Sequence, residues 1–182
     1  MKKVIVAAAL AAGLAGTGSA QALAPENTLY MDLSYGRVII ELRPDLAPKT
    51  VSRMKALTRQ HFFDGIVFHR VIGGFMAQTG DPTGTGYGGS GQHLPAEFSQ
   101  AHHLRGTVSM ARAQDPDSAD SQFFICFAPE PQLDGQYTIW GQVVQGMEFV
   151  DKIKRGDADP HGMVAAPQDK IIRMQVAADV KP

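Results

Sequence analysis

The sequence predicts a mainly β domain, a closed eight-stranded antiparallel β-barrel capped by two α-helices. Three observations lead there. Eight short runs read as strands, the first two by clear alternation of apolar and polar residues, only two segments keep the period of a helix, and those two helices fall one toward each end of the chain. No repeat, low-complexity tract or linker divides these elements, so the 182 residues hold one folded domain.

The elements follow in order. Residues 28–33 set Leu29, Met31 and Leu33 opposite Thr28, Tyr30 and Asp32, and residues 37–42 set Val38, Ile40 and Leu42 opposite Arg37, Ile39 and Glu41. The short turn Ser34-Tyr35-Gly36 joins the two runs into a hairpin. Residues 48–61 lose this alternation and place Val51, Met54, Leu57 and His61 on one helical stripe, with Pro48 in the first turn, where a missing N–H costs little. Asp64-Gly65 closes that unit. Further strands are expected over 66–70, 74–78, 107–111, 123–127 and 137–144. A second helix over 147–155 carries Met147, Val150 and Ile153 as its apolar stripe, Lys154 and Arg155 at its C-terminal end and Gly156 as cap. Residues 171–176 form the last strand.

The first 22 residues stand apart. Met1-Lys2-Lys3 is a short basic start, Val4 to Gly16 is an apolar run too short to span a bilayer, and Ser19-Ala20-Gln21-Ala22 offers small residues in A-x-A spacing. This pattern is that of a signal peptide, leaving residues 23–182 as the mature domain in the periplasm or another extracytoplasmic space. With Lys2 and Lys3 removed, the 17 basic side chains fall to 15 against 18 acidic ones, a net charge of -3. The single Cys126 excludes an internal disulfide and any Cys-rich metal site, and in an oxidising compartment it is expected to be buried. The whole-chain charge of -1 gives no basic footprint for nucleic acid.

Several patterns imitate chemistry. Gly84-Thr85-Gly86-Tyr87-Gly88-Gly89 matches G-x-G-x-x-G, but Asp81-Pro82 precedes it and no helical pattern follows, so it reads as a flexible loop bordering a site and not as a dinucleotide cradle. His93, His102 and His103 have no carboxylate at a recognisable metal-ligand spacing and read as surface histidines. Ser90 and Ser121 lie in no G-x-S-x-G context. More informative are a few polar residues among large apolar ones. In the strand over 74–78, Phe75 and Ala77 are expected on one face and Met76 and Gln78 on the other. Arg70 either snorkels outward from a barrel rim or is held over a pocket by partners such as Gln78. Phe124 by default is core.

The stretches Phe68-His69-Arg70-Val71-Ile72-Gly73-Gly74-Phe75-Met76-Ala77-Gln78-Thr79-Gly80-Asp81, Ser109-Met110-Ala111-Arg112-Ala113, Ser121-Gln122-Phe123-Phe124-Ile125 and Leu133-Asp134-Gly135 resemble the signatures of the cyclophilin-type peptidyl-prolyl cis-trans isomerases. The resemblance runs over 28–176. It implies the eight-stranded barrel already reached from periodicity, and it implies rotation of Xaa-Pro bonds in exported proteins without cofactor or metal. It assigns a catalytic role to Arg70 with Gln78 in support, and substrate contacts to Phe75, Met76, Ala111, Arg112, Ala113, Gln122, Phe124, Leu133 and Tyr137. The partners it implies are proline-containing unfolded or folding polypeptides, with the chain a monomer and neither nucleic acid nor membrane involved. Two departures stand out: Gln132 replaces a Trp that packs against cyclosporin in many eukaryotic members, which implies weak binding of that drug, and Tyr137 replaces a His. Arg112 stands for a usual Asn, and the loop over 114–120 looks one residue longer than in short members. The other reading of the same pocket is a chaperone or binding module for proline-containing segments, which needs no Arg70.

Overall fold

The computed structural model describes residues 23–181, so the expected signal peptide over 1–22 lies outside the described residues. Eight strands form one antiparallel sheet: β1 (Thr28–Leu33), β2 (Gly36–Leu42), β3 (Arg70–Ile72), β4 (Met76–Thr79), β5 (Thr107–Met110), β6 (Phe123–Cys126), β7 (Ile139–Gln145) and β8 (Arg173–Val176). Two α-helices, α1 (Pro48–Arg59) and α2 (Met147–Val150), accompany them. No helix among the described residues is long and apolar enough to cross a membrane.

The strand order β3-β4-β6-β5-β7-β2-β1-β8 corrects one expectation: the sheet curls but stays open, and β3 and β8 are its edges. Isolated bridges, Val67 to Lys170 and Arg70 to Met163, cross the seam in place of a continuous ladder. Bonds across the seam run from Val164 N to His69 O and from Phe68 N to Asp169 O, and the stretch between, 165–168, contains Pro167, which has no N–H to continue a ladder.

Alternation survives as burial. Leu29, Met31 and Leu33 of β1 and Val38, Ile40 and Leu42 of β2 join Val51, Met54 and Leu57 of α1 in the main core. Phe63, Phe123 and Trp140 pack edge to face at its centre, with centroids 5.7 and 5.4 Å apart. Each such fully buried side chain stabilises by roughly 1.5–3 kcal/mol.

Element ends differ where backbone demands override side-chain pattern. The first helix stops at Arg59, and His61 takes a left-handed φ of 58° and stays exposed, so it does not continue the stripe. The second helix is one turn, not the expected 147–155. After Val150 the bonds tighten to Lys152 N onto Phe149 O and Ile153 N onto Val150 O, and Gly156 N then donates to Val71 O on β3. That edge contact captures the backbone before another helical turn can form. Val150 and Ile153 are nonetheless buried as the stripe predicts. The fourth strand begins at Met76 because Gly74, at φ 75°, turns the chain, which leaves Phe75 in the turn.

Candidate active site

The pleat of β4 and β6 divides their side chains between two apolar clusters. Ala77, Phe123 and Ile125 enter the main core, whereas Met76, Phe124 and Cys126 form a second cluster on the opposite face with Ile72, Phe75, Ala111, Leu133 and Tyr137 packed against it. Phe75 thus sides with Met76 and not with Ala77, because it precedes the strand and escapes its alternation. Register then sets a row across four strands on that second face. Arg70 pairs with Gln78, Gln78 with Phe124, and Phe124 with Ser109. Directly paired residues share a face, so Gln78 lies between Arg70 and the ring of Phe124, with Ser109 on the ring's other side.

The resulting hollow is about 120 Å³, lined by Arg70, Phe75, Met76, Gln78, Ala111, Arg112, Phe124, Leu133 and Tyr137. It is smaller than the ~300–1,000 Å³ usual for small-molecule sites, so it suits one compact ring. Phe124 and Tyr137 meet edge to face at 5.8 Å. The guanidinium of Arg112 lies 4.8 Å from the Tyr137 ring centroid and donates Nε to Gln136 O at 3.1 Å, which fixes that wall.

Arg70 does not snorkel into solvent. Its Nε donates to the His161 carbonyl at 2.9 Å and its Nη1 to Gln78 Oε1 at 3.2 Å, while Nη2 has no partner among the described residues. Burial lowers its pKa, with Tyr137 pulling weakly the other way, and a guanidinium keeps its charge regardless. Gln78 Nε2 donates in turn to Gln122 Oε1 at 2.9 Å, and Gln122 Nε2 reaches the carbonyls of Gly86 and Gly88 at 2.9 and 2.8 Å. The Gly-rich loop is therefore the anchor of this chain of bonds.

That loop is organised by Asp81. Its buried carboxylate accepts from Thr83 N and Oγ1 at 2.7 Å, Thr85 N at 3.0 Å and Gly86 N at 2.6 Å. Burial alone would raise its pKa, but these donors outweigh it and hold it near 2. Glycine is required at Gly80, where φ is 88° and a Cβ would strike the Ser121 backbone carbonyl. A second hollow of about 450 Å³ opens beside the first, sharing Ala111 and Arg112 and adding Ala113, Gln122, Tyr87 and Ser118. The two hollows together contain every site residue expected from the sequence.

Three groups escaped sequence reasoning. His103 is buried, not on the surface: its N and Nδ1 lie 2.7 and 3.0 Å from Asp134 Oδ1, its Nε2 lies 3.1 Å from Ser109 Oγ, and it stacks on Phe124 at 6.3 Å. Its neighbour His102 is exposed, as expected. The His161 carbonyl that orients Arg70 belongs to a loop pinned by Asp159, whose Oδ1 accepts from His161 N at 2.7 Å. The third is Asp81 itself. Local pattern carries no signal for long-range bonds of this kind, although the unusual D-P-T-G-T-G context of Asp81 marks a turn. Cys126 is fully buried beneath Met76 and Phe124, as expected, and Gln132 is exposed beside Leu133.

A family model described as cyclophilin type peptidyl-prolyl cis-trans isomerase/CLD matches residues 28–176. The chain is 50% identical over 187 residues to a probable peptidyl-prolyl cis-trans isomerase of Brucella suis biovar 1, covering 96% of this chain and 95% of that one. It is 44% identical over 126 residues to a peptidyl-prolyl cis-trans isomerase of Helicobacter pylori, covering 67% and 77%. Among solved structures, the cyclophilin AquaCyp293 from Hirschia baltica superposes with a TM-score of 0.77 at 25% identity, covering 88% of this chain and 77% of that one. A Cryptosporidium parvum cyclophilin type peptidyl-prolyl cis-trans isomerase crystallised in the presence of the dipeptide Ala-Pro gives 0.74 at 30% identity, covering 82% and 98%.

Proposed function

The chain belongs to the cyclophilin-type peptidyl-prolyl cis-trans isomerase family and is an isomerase of that class, and from that premise we propose that Arg70 drives rotation of Xaa-Pro bonds seated in the 120 Å³ hollow, in polypeptides exported with this protein. The observation that carries the assignment is the Arg70 guanidinium, held on two sides by His161 O and Gln78 Oε1 with Nη2 left to a ligand.

The chemistry follows from the bond. Cis and trans Xaa-Pro differ by roughly 1 kcal/mol, but rotation breaks amide conjugation against a barrier of ~18–20 kcal/mol. No bond to carbon forms, so a nucleophile has nothing to do. Phe75, Met76, Phe124, Leu133 and Tyr137 hold the pyrrolidine ring out of water, where the gap between the planar amide and the less charge-separated twisted one narrows. As conjugation is lost the prolyl nitrogen regains its lone pair, and Arg70 donates a hydrogen bond to it. That bond is stronger in the transition state than in the ground state, which is the condition for acceleration. Gln78, Gln122 and the backbone of Ala111, Arg112 and Ala113 grip the flanking chain, so one side of the bond turns while the other is fixed.

Proline-containing unfolded or folding polypeptides are the substrates this reading takes, with the protein acting as a monomer in the periplasm. A non-catalytic chaperone would need the apolar walls but not a half-buried guanidinium held over them, which favours turnover over binding alone. The test is isomerisation of an Xaa-Pro peptide followed by NMR exchange. A rate at background for the unaltered protein would reduce the site to a binding module.

A further inference from the structure

Beyond the isomerase pocket and the hollow beside it lies a third depression, of about 560 Å³, between α1 and the segment 92–95. Pro48, Lys49, Arg53 and Ala56 form one wall and His93, Leu94 and Pro95 the other. The second wall is built in place. Leu94 N donates to Ala119 O at 2.7 Å, and the Asp120 carboxylate accepts from Ser90 N, Gly91 N and Gln92 N at 2.9, 2.9 and 3.2 Å. His93 stands on the partition and lines both this groove and the hollow that holds Ala111, Arg112 and Gln122. The three depressions therefore make one track, each sharing residues with the next.

Charge distinguishes the groove face of α1 from its other side. There, Lys55 pairs with Glu26 at 2.5 Å and Arg59 with Asp179 at 2.8 Å. On the groove side, no carboxylate lies within ion-pair distance of Lys49 or Arg53 among the described residues. Lys49 Nζ has no partner among the described residues, and Arg53 Nη2 donates at 2.8 Å to the Ser90 hydroxyl, which in turn donates to the Asp120 carboxylate, while the buried Nε of Arg53 has no acceptor. The two nearby acids are already engaged. Glu97 takes Lys49 N, Thr50 N and Thr50 Oγ1 at the start of α1, and Asp120 takes the loop amides. No Asp or Glu lines the groove itself.

We propose that this groove is a secondary binding site for an acidic, extended stretch of the same polypeptide whose Xaa-Pro bond occupies the isomerase pocket. Its walls offer apolar surface to the stems of Asp and Glu side chains, and to their carboxylates the unpaired Lys49 with the second positive charge of Arg53 beside it. The proposal rests on the isomerase reading and adds a preference for clients with acidic flanks.

Peptides with one Xaa-Pro core test it. One is the core alone, and the others carry a neutral spacer of about six residues, ~20 Å of extended chain, ending in a run of Glu or of Gln, placed on either side of the proline. On one side the Glu-ended peptide is expected to show a KM about fivefold below its Gln-ended counterpart at low ionic strength, with kcat unchanged and the advantage lost in high salt. Lys49→Glu should abolish that difference and leave turnover of the core peptide as in the unaltered protein. Lys49 is exposed at the start of α1, where an acid suits the helix dipole, so the fold should hold. Equal KM values for Glu- and Gln-ended peptides on both sides, or a difference that persists in Lys49→Glu, would overturn the proposal while leaving the isomerase standing. If the core peptide itself is not turned over, the isomerase reading falls and this site with it.

Discussion

Gln78 is the cross-strand partner of Arg70 and accepts a hydrogen bond from its Nη1 at 3.2 Å, so the ladder that builds the sheet also aims the guanidinium. Its other end donates to Gln122, which is tied to Gly86 O and Gly88 O. Removing Gln78 leaves Arg70 held through His161 O and a weak contact of Nη1 with Met76 Sδ at 3.8 Å. Gln78→Ala should therefore lower kcat/KM by about tenfold, the worth of one charge-assisted hydrogen bond, with thermal unfolding nearly unchanged. Unaltered kinetics would show that Arg70 is oriented without it.

Asp81 gives the site an acid limit. Its carboxyl is depressed from 3.8 to about 2, so the sign is that of a carboxylate favoured in the folded state. Its contribution, about 2 kcal/mol, is complete above pH ~4 and is lost as pH falls through ~2. Asp81→Asn should destabilise at neutral pH and flatten the loss of stability between those values. Because Gly86 and Gly88 anchor Gln122, the variant should also turn over more slowly. Parallel acid unfolding curves for the two proteins would contradict this.

Cys126 sits under Met76 and Phe124, and burial, followed by the charges of Glu130 and Asp134, pushes its thiol up to about 12. A thiol reagent at pH 8 should leave the folded protein unmodified and react fully once denaturant is added. Rapid labelling of the native state would mean that the second apolar cluster opens readily.

Export makes a separate claim. Mass spectrometry of protein recovered from outside the cytoplasm should find a chain beginning at Leu23. A chain retaining Met1 in that fraction would remove the signal peptide from the account.

The legibility of the fold follows its physics. The alternation in 28–33 and 37–42 gives strands and inward faces directly, because one face of each is buried. Barrel closure is not legible: whether β3 and β8 meet depends on the segment over 156–171, whose own pattern says only that it is irregular. The second helix misled because Val150 and Ile153 are buried whether the backbone is helical or a series of turns. At the site, pattern alone leaves Arg70 between rim and pocket and Phe124 in the core; the resemblance brings them together with Gln78, and register then fixes their order. His103 and Asp134 could not. A histidine gripped by an acid 31 positions later leaves no local trace, and its neighbour His102 is exposed on the same acid.

The central claim is that Arg70 stabilises the twisted amide. The measurement is the isomerisation rate of one Xaa-Pro peptide, by NMR exchange, for the unaltered protein and for Arg70→Ala, with circular dichroism confirming that both are folded. The account predicts a loss of kcat/KM of about 10²–10³-fold, the range found when one preorganised donor to a developing lone pair or charge is removed. Equal rates in two folded proteins would show that the apolar hollow alone does the work and would contradict the mechanism.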